Sequence, residues 1–186
     1  MEIKKVKDLM IPLENYASVH MNSTLLDAAL EMRNSQDKLT TGMQPIRAVL
    51  VVDDENNIVG KIGHLAFLKA LEPKYSKIID FEKLTRVGVS PALISSISDN
   101  LRLWEDDLTS ILKRASSIKV KDAMNPVSES IDENASITEA IHQIIVLQLL
   151  SLLVKSGSKI VGIIRLSDLY NEVEQNIIND FKSVNK

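Results

Sequence analysis

The strongest constraint on this chain is a heptapeptide that occurs twice. Val6-Lys7-Asp8-Leu9-Met10-Ile11-Pro12 and Val120-Lys121-Asp122-Ala123-Met124-Asn125-Pro126 agree at five of seven positions. The correspondence continues downstream, as a true internal repeat should. The segment from Val19 to Ala29 parallels that from Ile131 to Ile141, and Leu50-Val51-Val52 to Gly60 parallels Leu152-Leu153-Val154 to Gly162. The first copy carries the extra residues. Most of them fall between Asn34 and Arg47, a polar stretch with Gly42 and Pro45 that reads as a loop insertion.

Each copy has the same order of elements. A short extended segment leads into a helix opened by Thr24 or Ser136, with Asp27 or Glu139 three residues on as in a capping box. Two apolar runs separated by a polar turn follow, Ala48 to Val52 with Ile58 to Ile62, and Leu150 to Val154 with Ile160 to Ile164. A second helix closes each copy, His64 to Leu71 and Ser167 to Asp180. Helices alternating with a small sheet give an α/β (α+β) unit with one sheet face to cover. A unit of about 60 residues is marginal alone, so the copies should pack as one pseudo-two-fold pair.

The expected organisation is a first repeat over residues 1–72, a helical inter-repeat segment over 73–117 and a second repeat over 118–183. In the middle segment, Ser90-Pro91 reads as a helix cap followed by proline at the first helical position. Leu93, Ile94, Ile97, Leu101, Leu103 and Trp104, then Leu108, Ile111 and Leu112, fit amphipathic helices.

Composition excludes several function classes. With 186 residues, 45% of them hydrophobic, the chain can bury a real core. Lys plus Arg number 22 against 25 Asp plus Glu, a net of −3, which lacks the basic excess of a dedicated nucleic-acid binder. There is no cysteine, hence no thiolate nucleophile, disulfide or thiolate metal site. His20, His64 and His142 lie on different elements without metal-ligand spacing, and phosphate-loop, dinucleotide and serine-hydrolase motifs are missing. An enzyme is therefore not expected. The apolar run from Ile144 to Val154 is too short and too polar to span a bilayer, and the first residues lack a secretory-signal core, so a cytoplasmic location is the expectation.

The two Val-Lys-Asp-x-Met-x-Pro openings and the two glycine-headed strand ends, Val59-Gly60-Lys61-Ile62 and Val161-Gly162-Ile163-Ile164, resemble a tandem pair of cystathionine-β-synthase (CBS) domains. The stretch Arg47 to Tyr75 also looks like small stand-alone bacterial CBS-pair proteins of undefined role. The resemblance implies two β-α-β-β-α repeats paired through their sheets, with a related cleft on each side. It also implies a homodimer through the repeat helices and a regulatory role in binding AMP, ADP, ATP or S-adenosylmethionine. No catalytic cofactor is implied.

In the family pattern the last strand runs Gly-apolar-apolar-Ser/Thr-x-x-Asp, the carboxylate accepting both ribose hydroxyls. The second copy reads Gly162-Ile163-Ile164-Arg165-Leu166-Ser167-Asp168, so Asp168 matches and Arg165 replaces the hydroxyl residue. A guanidinium there suits a bidentate phosphate contact, aided by the helix N-terminus, while Ser167 could cap the helix. The first copy reads Gly63 and Ala66 at those two positions, a degenerate site. Ser18 and Ser130 fall where the pattern has a small hydroxyl near the base or sugar. Ser18 is grouped with the Ala66 cleft. Ile131 and Ile163 are expected to sandwich a purine. The nucleotide-site candidates are thus Asp168, Arg165, Ser130, Ile131, Gly162, Ile163 and Ser18.

One apolar surface stands out, Ile144 to Leu147 with Leu149 and Leu150, whose outer side is expected to contact a second copy. The competing function is a ligand-free dimeric scaffold whose middle helices dock a protein partner; nucleic-acid and membrane partners are not expected.

Overall fold

The computed structural model describes residues 4–37, 45–72, 74, 106–127 and 129–184, with positions 90, 92, 93, 96, 99 and 100 between them. The elements in order are β1 (Ile11–Pro12), β2 (Ser18–His20), α1 (Leu25–Asp37), β3 (Ala48–Val52), β4 (Ile58–Gly63), α2 (His64–Leu71), α3 (Leu108–Ala115), β5 (Asn125–Pro126), β6 (Ser130–Asp132), α4 (Ile137–Leu147), β7 (Ser151–Ser156), β8 (Lys159–Arg165) and α5 (Leu166–Val184).

The helix starts follow the capping chemistry. Thr24 and Asp27 form a reciprocal cap: the Asp27 N–H donates to Thr24 Oγ1 at 3.2 Å and the Thr24 N–H to Asp27 Oδ2 at 2.8 Å. The Thr24 N–H, and after it the Thr24 hydroxyl, donate to the Asp27 carboxyl and hold it below its ordinary value. Ser136 Oγ likewise accepts from the Glu139 N–H.

The strands form two four-stranded sheets, β1-β8-β7-β6 and β2-β3-β4-β5. Each sheet takes one edge strand from the other repeat. β1 pairs antiparallel with β8, Ile11 opposite Ile163 and Pro12 opposite Gly162, while β5 pairs with β4, Pro126 opposite Gly60. This exchange explains the duplicated heptapeptide. Val6 and Val120 are fully buried. Val6 N–H donates to the Ala135 carbonyl and Val120 N–H to that of Ser23, at 2.9 and 2.8 Å. Lys7 Nζ reaches Asn134 Oδ1 and Lys121 Nζ reaches Asn22 Oδ1, both at 3.0 Å. The methionines cross over the glycines. A Cβ on Gly162 would lie 2.8 Å from both Met10 Sδ and the Ile11 carbonyl oxygen, and one on Gly60 would lie 2.6 Å from Met124 Sδ.

The principal core joins both repeats: Ile11, Leu50, Val51 and Ile62 pack with Leu153 and Ile163. A second cluster covers the outer face of the second sheet, with Ile131, Ala140, Ile144, Leu152, Ile164 and Leu169. The paired β-α-β-β-α architecture expected from the repeats is therefore present.

Three local expectations change. The inserted segment begins later than Asn34, because α1 continues to Asp37 and Gln36 Nε2 ties it to the Ile46 carbonyl at 2.7 Å. The repeat register shifts by one: Ser18 stands opposite Leu50 and Ser130 opposite Leu153, so Leu50 corresponds to Leu153 rather than Leu152. The first turn is one residue longer, which hid the shift. Finally, α5 runs from Leu166 to Val184, placing Ser167 inside its first turn rather than at the cap.

In the middle segment, Ser90 Oγ accepts from the Leu93 N–H at 3.3 Å as a cap should. Ile94, Ile97, Leu101, Leu103 and Trp104 lie outside the described residues. α3 is capped by Asp107, buries Ile111 and Ala115, and holds the end of α2 through Arg114 Nη1 on the Leu71 carbonyl at 2.8 Å.

Candidate functional site

The second-repeat signature sits where β8 runs into α5. Arg165 is the last residue of the strand and Asp168 lies in the first turn of the helix, so a three-residue step aims both side chains at one point. Arg165 Nε donates to Asp168 Oδ2 and Nη2 to Oδ1, each at 2.6 Å. Nη1 donates to the Pro45 carbonyl oxygen of the first repeat at 3.2 Å. Arg165 is 5% exposed and Asp168 9%. This is a forked, charge-assisted pair in a dry setting.

The strand exchange decides what surrounds it. After β1 leaves β8, the chain crosses through Leu13–Asn15, Tyr16 and Ala17 to reach β2. The buried Tyr16 phenol feels both Arg165 and Asp168. Burial pushes it up to about 12; Arg165 pulls it down and Asp168 raises it further, both by less than burial does. Ser18, exposed at the end of that crossing, follows two residues after the Tyr16 that faces Arg165 and Asp168, which favours grouping it with Asp168 over the Ala66 cleft. Sequence order suggested the opposite, because exchange puts each crossing beside the other repeat's last strand.

Ile131 and Ile163 do not face one another. Ile163, 1% exposed, belongs to the central core, whereas Ile131, 2% exposed, packs into the outer cluster. Ladder register gives the reason: Ile131 shares a row with Val154 and Gly162, one residue out of phase with Ile163. The purine sandwich expected from these two side chains is thus not formed. Ser130 shares the row of Leu153 and Ile163, but β6 is separated from β8 by β7.

The first-repeat counterpart is built differently. Gly63 precedes α2 and Ala66 packs on the central core. Lys61, the counterpart of Ile163, stands opposite the buried Leu50 and reaches across to the second repeat. Its Nζ donates to Ser151 Oγ at 2.9 Å and to the Ser151 carbonyl at 3.3 Å. Burial pulls this ammonium below its ordinary pKa. Lys61 and Arg165 thus each tie one repeat to a backbone carbonyl of the other. Neither Lys61 nor Tyr16 is among the residues expected at the site. A lysine on the inward phase of an apolar strand was the available signal for the first; nothing local marked the second.

The three histidines stay apart. His20 Nε2 lies 2.8 Å from Asp54 Oδ1, His64 Nε2 lies 3.2 Å from Met32 Sδ, and His142 is exposed. Among the described residues no group of three or more His, Asp or Glu is placed to hold a metal ion, and no helix is long and apolar enough to cross a membrane. Two surface grooves lie away from Arg165. One of about 370 Å³ is lined by Ala29, Met32, Gln36, His64 and Phe67; the other, of about 930 Å³, runs between the N-terminal lysines, α4 and α5.

No curated protein matches the chain. Solved structures match its fold over nearly its whole length. A CBS-domain protein of unknown function from Bacillus anthracis is 17% identical, with a TM-score of 0.59 over 92% of this chain and 94% of that one. A putative acetoin utilization protein from Vibrio cholerae is 18% identical, with a TM-score of 0.58 and 97% of each chain covered. CBSX2, solved in complex with AMP, is 19% identical, with a TM-score of 0.55 over 92% and 96%. The model of the CBS domain matches twice, at residues 6–73 and 120–175, the two stretches that exchange strands here. This chain belongs to the CBS-domain family, as a tandem pair.

Proposed function

We propose that the chain is a cytoplasmic regulatory module that binds an adenosine-containing nucleotide, AMP, ADP, ATP or S-adenosylmethionine, where β8 meets α5, and modulates a partner protein. The observation that carries this reading is Asp168, a buried carboxylate at the family's ribose position, next to the crossing that ends in Ser18. Membership of the CBS family supports a sensing role rather than a catalytic one, and the CBSX2 complex is an instance of this fold with AMP. In this reading Gly162 and Ile163 form the strand wall, Arg165 serves the phosphate, and Ser130 acts from the far strand. Binding signals only if two arrangements of the pair differ in affinity for the ligand. The reading includes a homodimer formed through the repeat helices, supported by the exposed apolar side chains Ile145, Tyr170, Ile177 and Phe181.

A second reading, a ligand-free scaffold docking a partner on the middle helices, is favoured by one observation: Arg165 already engages both Asp168 oxygens. Thermal-shift measurements with AMP, ADP, ATP, S-adenosylmethionine and NAD, with adenosine and GTP as controls, separate the two. A ligand at 100 times its Kd should add about 2.7 kcal/mol. That increment should vanish in Asp168→Ala. No increment with any ligand, in folded native protein, overturns the sensor and supports the scaffold.

A further inference from the structure

A ribose diol gripping Asp168 with both hydroxyls needs the same side of the carboxylate that the Arg165 fork occupies. Asp168 offers two oxygens, and Arg165 Nε and Nη2 take one each at 2.6 Å. The remaining terminal nitrogen is held by the Pro45 carbonyl of the other repeat, so the guanidinium is fixed on both sides.

We infer that Arg165 is a resident competitor for the ribose, so that this cleft admits an adenine nucleoside only when the ligand also brings a phosphate to take over the displaced guanidinium. The inference rests on the nucleotide-sensing reading and specifies which ligands that site takes. A diol reaches Asp168 only once the guanidinium has left. A charged guanidinium expelled from its partner inside a dry cleft carries a large desolvation penalty unless another anion meets it. Phosphate is the matching acceptor, since its oxygens fit the same planar fork. The exchange then balances: Asp168 trades the guanidinium for two hydroxyls, and Arg165 trades a carboxylate for a phosphate. Adenosine supplies the first trade and not the second. The cleft therefore checks for sugar and phosphate together, through one ion pair that each half of the ligand must break.

Calorimetry on the full chain with adenosine and AMP tests this, using the native protein, Arg165→Thr and Arg165→Lys. Native protein should bind AMP about tenfold or more tighter than adenosine. Arg165→Thr should bind adenosine about tenfold or more tighter than native protein does, narrowing the AMP preference. Arg165→Lys keeps a positive charge beside Asp168, which secures folding, but lacks the fork, and should shift adenosine affinity in the same direction. If native protein binds AMP while neither variant gains affinity for adenosine, the competitor role is overturned and the sensor reading stands. Equal native affinity for adenosine and AMP also overturns the competitor role. If none of the three folded proteins binds either ligand, the competitor role is overturned, and the sensor reading falls with it only if ADP, ATP and S-adenosylmethionine also give no thermal shift.

Discussion

At the scale of single residues the buried ion pair sets the terms. Removing one partner of a buried pair leaves the other charge uncompensated, so Asp168→Ala should destabilise the fold by roughly 3–5 kcal/mol. Replacing both, as in Arg165→Met with Asp168→Leu, should cost far less by the same argument, and urea denaturation of the two proteins compares them directly. Tyr16 gives a pH signature. Its phenol titrates at about 12 in the folded chain against an ordinary 10.0. The folded state thus holds a proton that the unfolded state releases. The associated stability is complete below pH 10 and is lost as pH rises toward 12. Denaturation measured from pH 9 to 12 should show this fall, Tyr16→Phe should lack it, and absorbance titration should lose its highest-pH step in the variant. Asp168 was legible from the sequence because its spacing from Gly162 is local. The grouping of Ser18 was not, because it depends on which sheet accepts β1, and that is a contact between residues far apart in the chain.

At the scale of elements, the glycine-headed strands carry the exchange. A methyl group at Gly162 meets the Ile11 carbonyl and Met10 Sδ; the thioether can give way, but the carbonyl belongs to the β1–β8 ladder. Gly162→Ala should therefore cost roughly 1–3 kcal/mol, as overpacking does, and Gly60→Ala a similar amount against Asn125 and Met124. Met10→Ala placed on Gly162→Ala should recover little, since the backbone contact remains; a double-mutant melt checks it. The helices and strand pairs were readable in outline because caps, polar turns and apolar runs are short-range signals. The phase of β3 against β7 was not, because a single extra residue in the first turn moves the alignment without disturbing its hydrophobic pattern. The Ile131–Ile163 sandwich failed for a separate reason: across the β6-β7-β8 ladder the two residues are one position out of phase, and a one-residue offset puts side chains on opposite faces.

For the whole molecule, the principal core serves both repeats and a set of exposed apolar side chains lies outside it. On α4, Ile144 is 2% exposed whereas Ile145 and Val146 are about 60% exposed, so the core takes one side of the helix and leaves the other to solvent. α5 adds Tyr170, Val173, Ile177 and Phe181 at helical spacing. In the dimer reading, Ile177→Asp combined with Ile145→Asp should give a monomer by light scattering with its melting cooperative. A native protein that is monomeric at micromolar concentration counts against that reading.

The reciprocal strand exchange also orders events in time. A ribosome delivers β1 long before its partner strand around Gly162 and Ile163, with both the rest of the first repeat and the middle segment made in between. The first sheet likewise waits for Asn125 and Pro126 to close its edge. Neither repeat can finish folding while the other is unmade, and contacts this distant in sequence are slow to form. The nascent chain therefore carries an open sheet edge until the partner strand has been made, so that conditions which lengthen synthesis or crowd the emerging chain fall on the first repeat.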